Sequence, residues 1–161
     1  MNYILGGGGF ASRLMTRIRD DLGLAYDVHS YFTSNMFRGV FVVGVQTKNR
    51  SAKDVIRIIL KEIKRIQEEP VTDEELMDAK SYLTGSFPRR LDTMGKVAHF
   101  LALVEFYGLG LNYDREYKDL INSVTKEDVL KVARKYLYPE AYTLVIVADL
   151  EKAGFNEKQS D

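Results

Sequence analysis

Four consecutive glycines, Gly6 to Gly9, constrain this chain more than any other feature in it. Glycine loses more backbone freedom on folding than any other residue, so such a run is expected where the chain needs positive φ or where another segment passes close to the backbone. Just beyond, Ser12 is placed to cap a short helix whose apolar residues Leu14, Met15, Ile18 and Leu22 share one face, and Gly23 is placed to end it. Arg13, Arg17 and Arg19 fall off that face, with Arg19 near the C-terminal end, where a cation suits the helix dipole. Tyr26 opens the segment that follows.

Residues 25–35 carry aromatic and β-branched residues closed by a polar turn, and 37–47 alternate in the manner of a second strand, so the pair is predicted to form an antiparallel hairpin. Apolar groups on both faces of the second run predict that it is a central strand. Ser51 is placed to cap a helix with the stripe Val55, Ile56, Ile59, Ile63 and Ile66, stopped by Glu69 and Pro70 and expected to lie across the sheet. Thr72 to Glu75 has the capping-box form and begins a helix interrupted near Gly85 and Pro88. Residues 94–107 are apolar enough for a helix buried on much of its circumference, and Thr125 with Asp128 starts a last helix running to Leu137. The continuous apolar run Tyr142 to Ala148 predicts a buried strand, followed by a polar tail expected to fray after Asp149.

Strands early and late with helices segregated between them predict an α+β fold with a largely antiparallel sheet. The expected organisation is one domain over 1–150, lacking its first strand because residues 1–5 are too short to be a complete element, and a polar tail over 151–161. A chain missing that strand leaves a sheet edge or an apolar helix face uncovered, which predicts self-association.

Composition narrows the function classes. Lysine plus arginine equals aspartate plus glutamate at 23 each, so no overall field recruits nucleic acid or an anionic membrane. There is no cysteine, which removes disulfides, thiolate nucleophiles and cysteine-held metals together. No basic segment followed by a long apolar run marks a signal peptide, and no apolar stretch has the length to cross a bilayer, so a soluble protein is expected, with the cytoplasm and the periplasm both open. His29 and His99 are the only histidines, and neither has a second ligand at helical spacing, so each is read as a packing or surface residue and no metal is expected on this chain.

Gly6, Gly8 and Ala11 fit G-x-G-x-x-A ahead of a helix, which by itself suggests a dinucleotide-binding turn. That reading requires a preceding buried strand and parallel pairing, and the hairpin at 25–47 argues against both. The plainest reading makes the glycines a hinge and the helix ordinary core.

More of the chain is accounted for by a resemblance. The run GGGGFASRLMTRIRDDLGLAY, the later VTDEELMDAKSYLTGSFPRRLDT and the ending VTKEDVLKVARKYLYPEAYTLVIVAD together closely resemble the second half-repeat of the insulinase/pitrilysin zinc peptidases, which include the mitochondrial processing peptidases. The most specific part is the order glycine cluster, Ser-Arg-Leu, Ile-Arg and Gly-Leu-Ala-Tyr, with Arg19 and Tyr26 seven residues apart. The resemblance implies an α+β half-domain with helices on one face of its sheet, facing a homologous domain across a cavity. In that family one half carries H-x-x-E-H and a further glutamate, while the other contributes an arginine and a tyrosine. This sequence contains no H-x-x-E-H.

What carries over is the zinc-free half: Arg19 and Tyr26 as the substrate-binding and transition-state pair, Gly6, Gly7, Gly8 and Gly9 as a loop beside the cavity, and no metal ligand. Zinc is expected on a partner domain, upstream in the same chain or on a separate subunit, and peptide is the expected substrate. The resemblance further implies that the chain is a piece of a longer protein and is inactive by itself. The residue types suit that chemistry, because a hydroxyl and a guanidinium aimed at a carbonyl oxygen stabilise the negative charge that grows there during hydrolysis. A non-catalytic peptide-binding or scaffold homologue is the alternative, and a nucleotide-binding domain the weaker one.

Overall fold

A computed structural model describes residues 1–33, 35–37 and 39–155. The fold is α+β with an antiparallel pair of strands, as the sequence predicts, and it divides into two compact units: Met1–Pro70 with the segment from Leu130 onward, and Val71–Val129.

The first unit begins with a wide, π-type helical turn over Tyr3–Gly7 that buries Ile4 and Leu5, then a short 3-10 turn over Gly9–Ala11. Helix α1 is α-helical over Arg13–Met15 and widens to a π-type stretch over Thr16–Asp21. Leu14, Met15 and Ile18 are buried as their spacing predicts, while Leu22 is exposed. Ser12 does occupy the N-cap position, but its hydroxyl does not cap the helix; it donates instead to the Gly9 carbonyl at 2.7 Å. Gly23 ends the helix as expected, with φ of +59°, its amide donating to Arg19 O at 3.0 Å and the Leu24 amide to Ile18 O at 2.9 Å.

Strands β1 (Ala25–Phe32) and β2 (Phe41–Thr47) pair antiparallel. The hairpin is shorter than its sequence suggests, because pairing beyond Phe32 passes to the Thr33–Val40 contact, in which Thr33 N donates to Val40 O at 2.9 Å and Val40 N donates to Thr33 Oγ1 at 2.8 Å. Among the described residues β2 pairs with β1 alone, so it is not the central strand expected, and its residues are half-exposed. Apolar side chains on both faces of a strand report a tendency to be covered; they do not provide the neighbour that covers them.

Helix α2 (Ala52–Glu68) buries Val55, Ile59, Ile63 and Ile66 of the predicted stripe, leaves Ile56 half-buried, and stops at Glu69. It packs on α1 and on the Tyr3–Gly7 turn, which themselves cover β1, so it meets the sheet chiefly through the opening segment. Gln67 Nε2 donates to Ala133 O at 3.2 Å and Leu137 O at 2.7 Å, and Arg134 Nε donates to Gln67 O at 2.7 Å, which ties the end of α2 to the end of helix α6 (Lys126–Tyr136).

Residues 142–148 correct another expectation. They pair with no described segment and form no strand, and Val145 and Val147 are exposed, Val147 to 99%. Apolar content favours a strand, but a strand requires a partner for its backbone groups, and hydropathy does not supply one. Beyond Asp149 the chain does not fray at once: Ala153 N donates to Asp149 O at 2.9 Å, Phe155 N donates to Leu150 O at 2.8 Å, and Ala153 is buried. The rest of the predicted tail, 156–161, lies outside the described residues.

The second unit holds helices α3 (Asp73–Ser86), α4 (Met94–Phe106) and α5 (Tyr113–Ser123). The capping box is formed, with Glu75 N donating to Thr72 Oγ1 at 3.1 Å and Thr72 N donating to Glu75 Oε2 at 2.8 Å. Thr125 and Asp128 make the same reciprocal pair at the start of α6. Pro88 sits in a 3-10 turn over Phe87–Arg90 that follows α3. Phe87 stacks on Tyr117 at 4.1 Å and meets Phe100 edge-on at 5.8 Å, forming the apolar centre of this unit. Helix α4 departs from expectation: only Val104 is fully buried, while Met94, Leu101 and Phe106 are exposed. It packs mainly on the Phe87–Arg90 turn, and one neighbouring turn covers only one side of a helix.

Candidate functional site

The site forms where the glycine run, the end of α1 and the start of β1 meet. Gly6 is buried, and a Cβ on it would lie 2.5 Å from Ser30 Oγ and 2.9 Å from Leu14 Cδ1, so the absence of a side chain is what allows the opening turn to sit against β1. Ser30 is buried there, its hydroxyl donating to Asn2 Oδ1 at 2.8 Å, while Asn2 Nδ2 donates to Ser30 O at 3.2 Å. Gly9 serves differently, with φ of +58° and no atom near its missing side chain. Its left-handed turn, held by Ser12 Oγ on the Gly9 carbonyl, lifts Phe10 out of the core. Thus Gly6 is a packing residue under β1, Gly7 and Gly8 complete the turn, and Gly9 aims the next side chain outward.

On the opposite side of the site, Thr47 Oγ1 donates to Leu24 O at 2.5 Å and fixes the entry to β1. The strand register slips between Ala25, which faces Thr47, and Asp27, which faces Gln46. Tyr26 is the extra residue in that slip, and a bulge of this kind re-aims a side chain away from the sheet. Its ring is 81% exposed.

Arg19 lies close to both projecting rings. Its Cζ stands over the Phe10 ring, 4.6 Å from the centroid, and over the Tyr26 ring at 5.9 Å. Its nearest carboxylate is Asp20 Oδ1 at 3.7 Å, beyond hydrogen-bond reach. Among the described residues neither the Arg19 guanidinium nor the Tyr26 hydroxyl makes a hydrogen bond, and Arg19 is ion-paired with Asp20. The structure therefore brings together the two residues singled out in the sequence and adds Phe10, which pattern reading missed. The one sequence signal for it is an aromatic residue placed directly after a glycine run.

Three other features test the remaining sequence readings. His29 Nδ1 lies 2.8 Å from Asp27 Oδ2, and its ring lies across Gly44, so it is a surface residue of β1; His99 is exposed on α4. Among the described residues no three His, Cys, Asp or Glu side chains converge on a common point. Among the same residues no helix is long and apolar enough to cross a membrane. The G-x-G-x-x-A reading fails on topology, since Tyr3–Gly7 is a helical turn and the strands after it are antiparallel.

The family described as the peptidase M16 inactive domain matches residues 1–83. The chain is 32% identical over 154 residues to a non-peptidase homolog, YmxG, of Helicobacter pylori, a match covering 94% of this chain and 35% of that protein. It is 33% identical over 132 residues to an uncharacterized zinc protease of Streptomyces coelicolor, covering 81% of this chain and 28% of that one. The chain thus spans about a third of the length of these relatives. Among solved structures, the peptidase M16 inactive domain from Pseudomonas fluorescens superposes with a TM-score of 0.79 at 32% identity, covering 86% of this chain and 33% of that chain. The family match spans the glycine turn, α1 and the β1–β2 hairpin, and the chain belongs to the peptidase M16 family through its inactive domain.

Proposed function

We propose that this chain is the zinc-free half of a peptidase, supplying Arg19 and Tyr26 to a peptide held against a homologous, zinc-bearing domain. The observation that carries this reading is the pairing of an exposed phenol with a guanidinium 5.9 Å from its ring, both without a hydrogen-bond partner among the described residues. The zinc expected on the partner would supply an activated water. This chain's residues act on the substrate: the guanidinium donates in its plane to carbonyl or carboxylate oxygens of a bound peptide, and the Tyr26 hydroxyl donates to a carbonyl oxygen as charge grows on it. Positioned donors of this kind are worth most where charge develops, and holding them in place before reaction avoids the cost of ordering them later. In this account Gly7 to Gly9 form the turn that borders the peptide, while Gly6, expected beside them, is packed beneath β1.

A second reading, that of a non-catalytic homologue which binds peptides or completes an assembly, is favoured by the name of the Helicobacter pylori relative. Reconstitution separates the two. The chain is mixed with a homologous half that carries H-x-x-E-H, and hydrolysis of a quenched fluorescent peptide is followed with each half alone and with both. Cleavage that requires both halves supports the peptidase reading. A complex that forms, retains zinc on the partner and cleaves nothing contradicts it and favours the scaffold.

A further inference from the structure

Phe10 has no part in the pairing of arginine with tyrosine, yet the chain commits two local devices to it. Gly9 adopts a left-handed backbone that only glycine takes at low cost, Ser12 turns its hydroxyl away from helix capping to hold the Gly9 carbonyl, and the resulting turn leaves the Phe10 ring 70% exposed. A single exposed aromatic residue is ordinary on a protein surface; what marks Phe10 is that a left-handed glycine sets its exposure and that it lies against Arg19. The Arg19 guanidinium covers part of that ring, with Cζ nearer to Phe10, at 4.6 Å, than to Tyr26, at 5.9 Å.

We propose that Phe10 is a specificity-determining residue, which stacks against an aromatic side chain of the bound peptide beside Arg19. This inference rests on the reading of Arg19 and Tyr26 as a peptide-binding pair. A guanidinium held beside a ring keeps N–H groups free to donate to backbone oxygens, so a peptide carbonyl can dock against Arg19 next to Phe10. The side chain next to that carbonyl then meets the exposed part of the Phe10 ring. Aromatic side chains gain most there, through offset or edge-to-face contact, whereas a charged residue would lose hydration against the ring. Recognition by Phe10 selects the sequence of the peptide, while Arg19 and Tyr26 recognise the backbone that all peptides share.

The test uses two fluorescein-labelled, serine-rich uncharged peptides that differ only in a central Phe or Ser, titrated by anisotropy against the wild-type chain, Phe10→Ala and Phe10→Tyr, each assembled with a homologous half whose H-x-x-E-H glutamate is replaced by glutamine so that bound peptide is not cleaved. The wild type is expected to bind the Phe peptide more tightly than the Ser peptide by roughly three- to tenfold, the range for one aromatic contact. Phe10→Ala should bring that ratio close to one, and Phe10→Tyr should restore the preference. Because Phe10 is exposed, circular dichroism should report the same fold in all three. A preference that persists in Phe10→Ala, or that Phe10→Tyr fails to restore, overturns the role of Phe10 and leaves the peptide-binding reading standing. Failure of the wild type to bind either peptide overturns both.

Discussion

Gly6 and Ser30 approach so closely that a Cβ on the glycine would stand 2.5 Å from the serine hydroxyl oxygen, although 24 positions separate them in sequence. Ser30 cannot simply turn aside, because it is buried and its hydroxyl is committed to Asn2 Oδ1. Gly6→Ala is therefore expected to destabilise the first unit by about 1–3 kcal/mol, the usual range for an overpacked core. Gly9→Ala should cost about 1 kcal/mol through backbone strain alone, since φ is +58° and nothing crowds the position. Urea unfolding of both variants checks this, and equal stability of Gly6→Ala and wild type would contradict the packing account.

Gln67 links two helix ends by donating to Ala133 O and Leu137 O. Gln67→Met keeps the volume but leaves those carbonyls without that donor, and should lower stability by about 1–2 kcal/mol. A shifted denaturant midpoint with an unaltered slope is the expected result.

Tyr117 yields a pH prediction. Its hydroxyl titrates above the ordinary value chiefly because burial disfavours the phenolate; Arg90 opposes that shift and Tyr113 adds to it. The folded chain holds this proton more tightly than the unfolded chain, whose tyrosines titrate near about 10. The stabilisation is thus fully present below that pH and is lost as pH rises through the higher folded value. Urea midpoints measured at increasing alkaline pH should fall more steeply for the wild type than for Tyr117→Phe, and identical slopes would contradict the assignment.

Residues 142–148 leave Val145 and Val147 exposed beside backbone groups that pair with no described segment. Such segments template pairing with another chain, so the protein is expected to self-associate and Val147→Lys to reduce this. Light scattering across a dilution series should show mass falling with concentration in the wild type. A wild-type mass that stays monomeric throughout would contradict the expectation.

The sequence was most legible where local chemistry decides the outcome. The Thr72 and Glu75 capping box and the stop at Gly23 form as read, and the α2 stripe does so except for Ile56, which is half-buried; all involve residues a few positions apart. Arg19 and Tyr26 could be paired by spacing within a recognised pattern, and they do meet. Burial was less legible, because it depends on neighbours that no window of sequence contains. Residues 94–106 and 142–148 are among the most apolar in the chain, yet both lie largely exposed. Phe10 escaped notice for a related reason: its placement follows from the Gly9 backbone and from a Ser12 hydroxyl bond that the capping rule assigns elsewhere.

The central claim is that Arg19 and Tyr26 act on the substrate, and steady-state kinetics of the chain assembled with a zinc-bearing homologous half test it most directly. Tyr26→Phe should lower kcat by roughly 10²-fold, the scale for one lost donor to a developing oxyanion. Arg19→Ala should raise KM and lower kcat together, since a guanidinium holds oxygens before and during reaction. Zinc content and melting temperature should match the wild type in both, since Tyr26 is exposed and Arg19 makes no hydrogen bond among the described residues. Variants that fold and bind zinc as the wild type does, yet keep its kcat/KM, would contradict the account and return both side chains to ordinary surface roles.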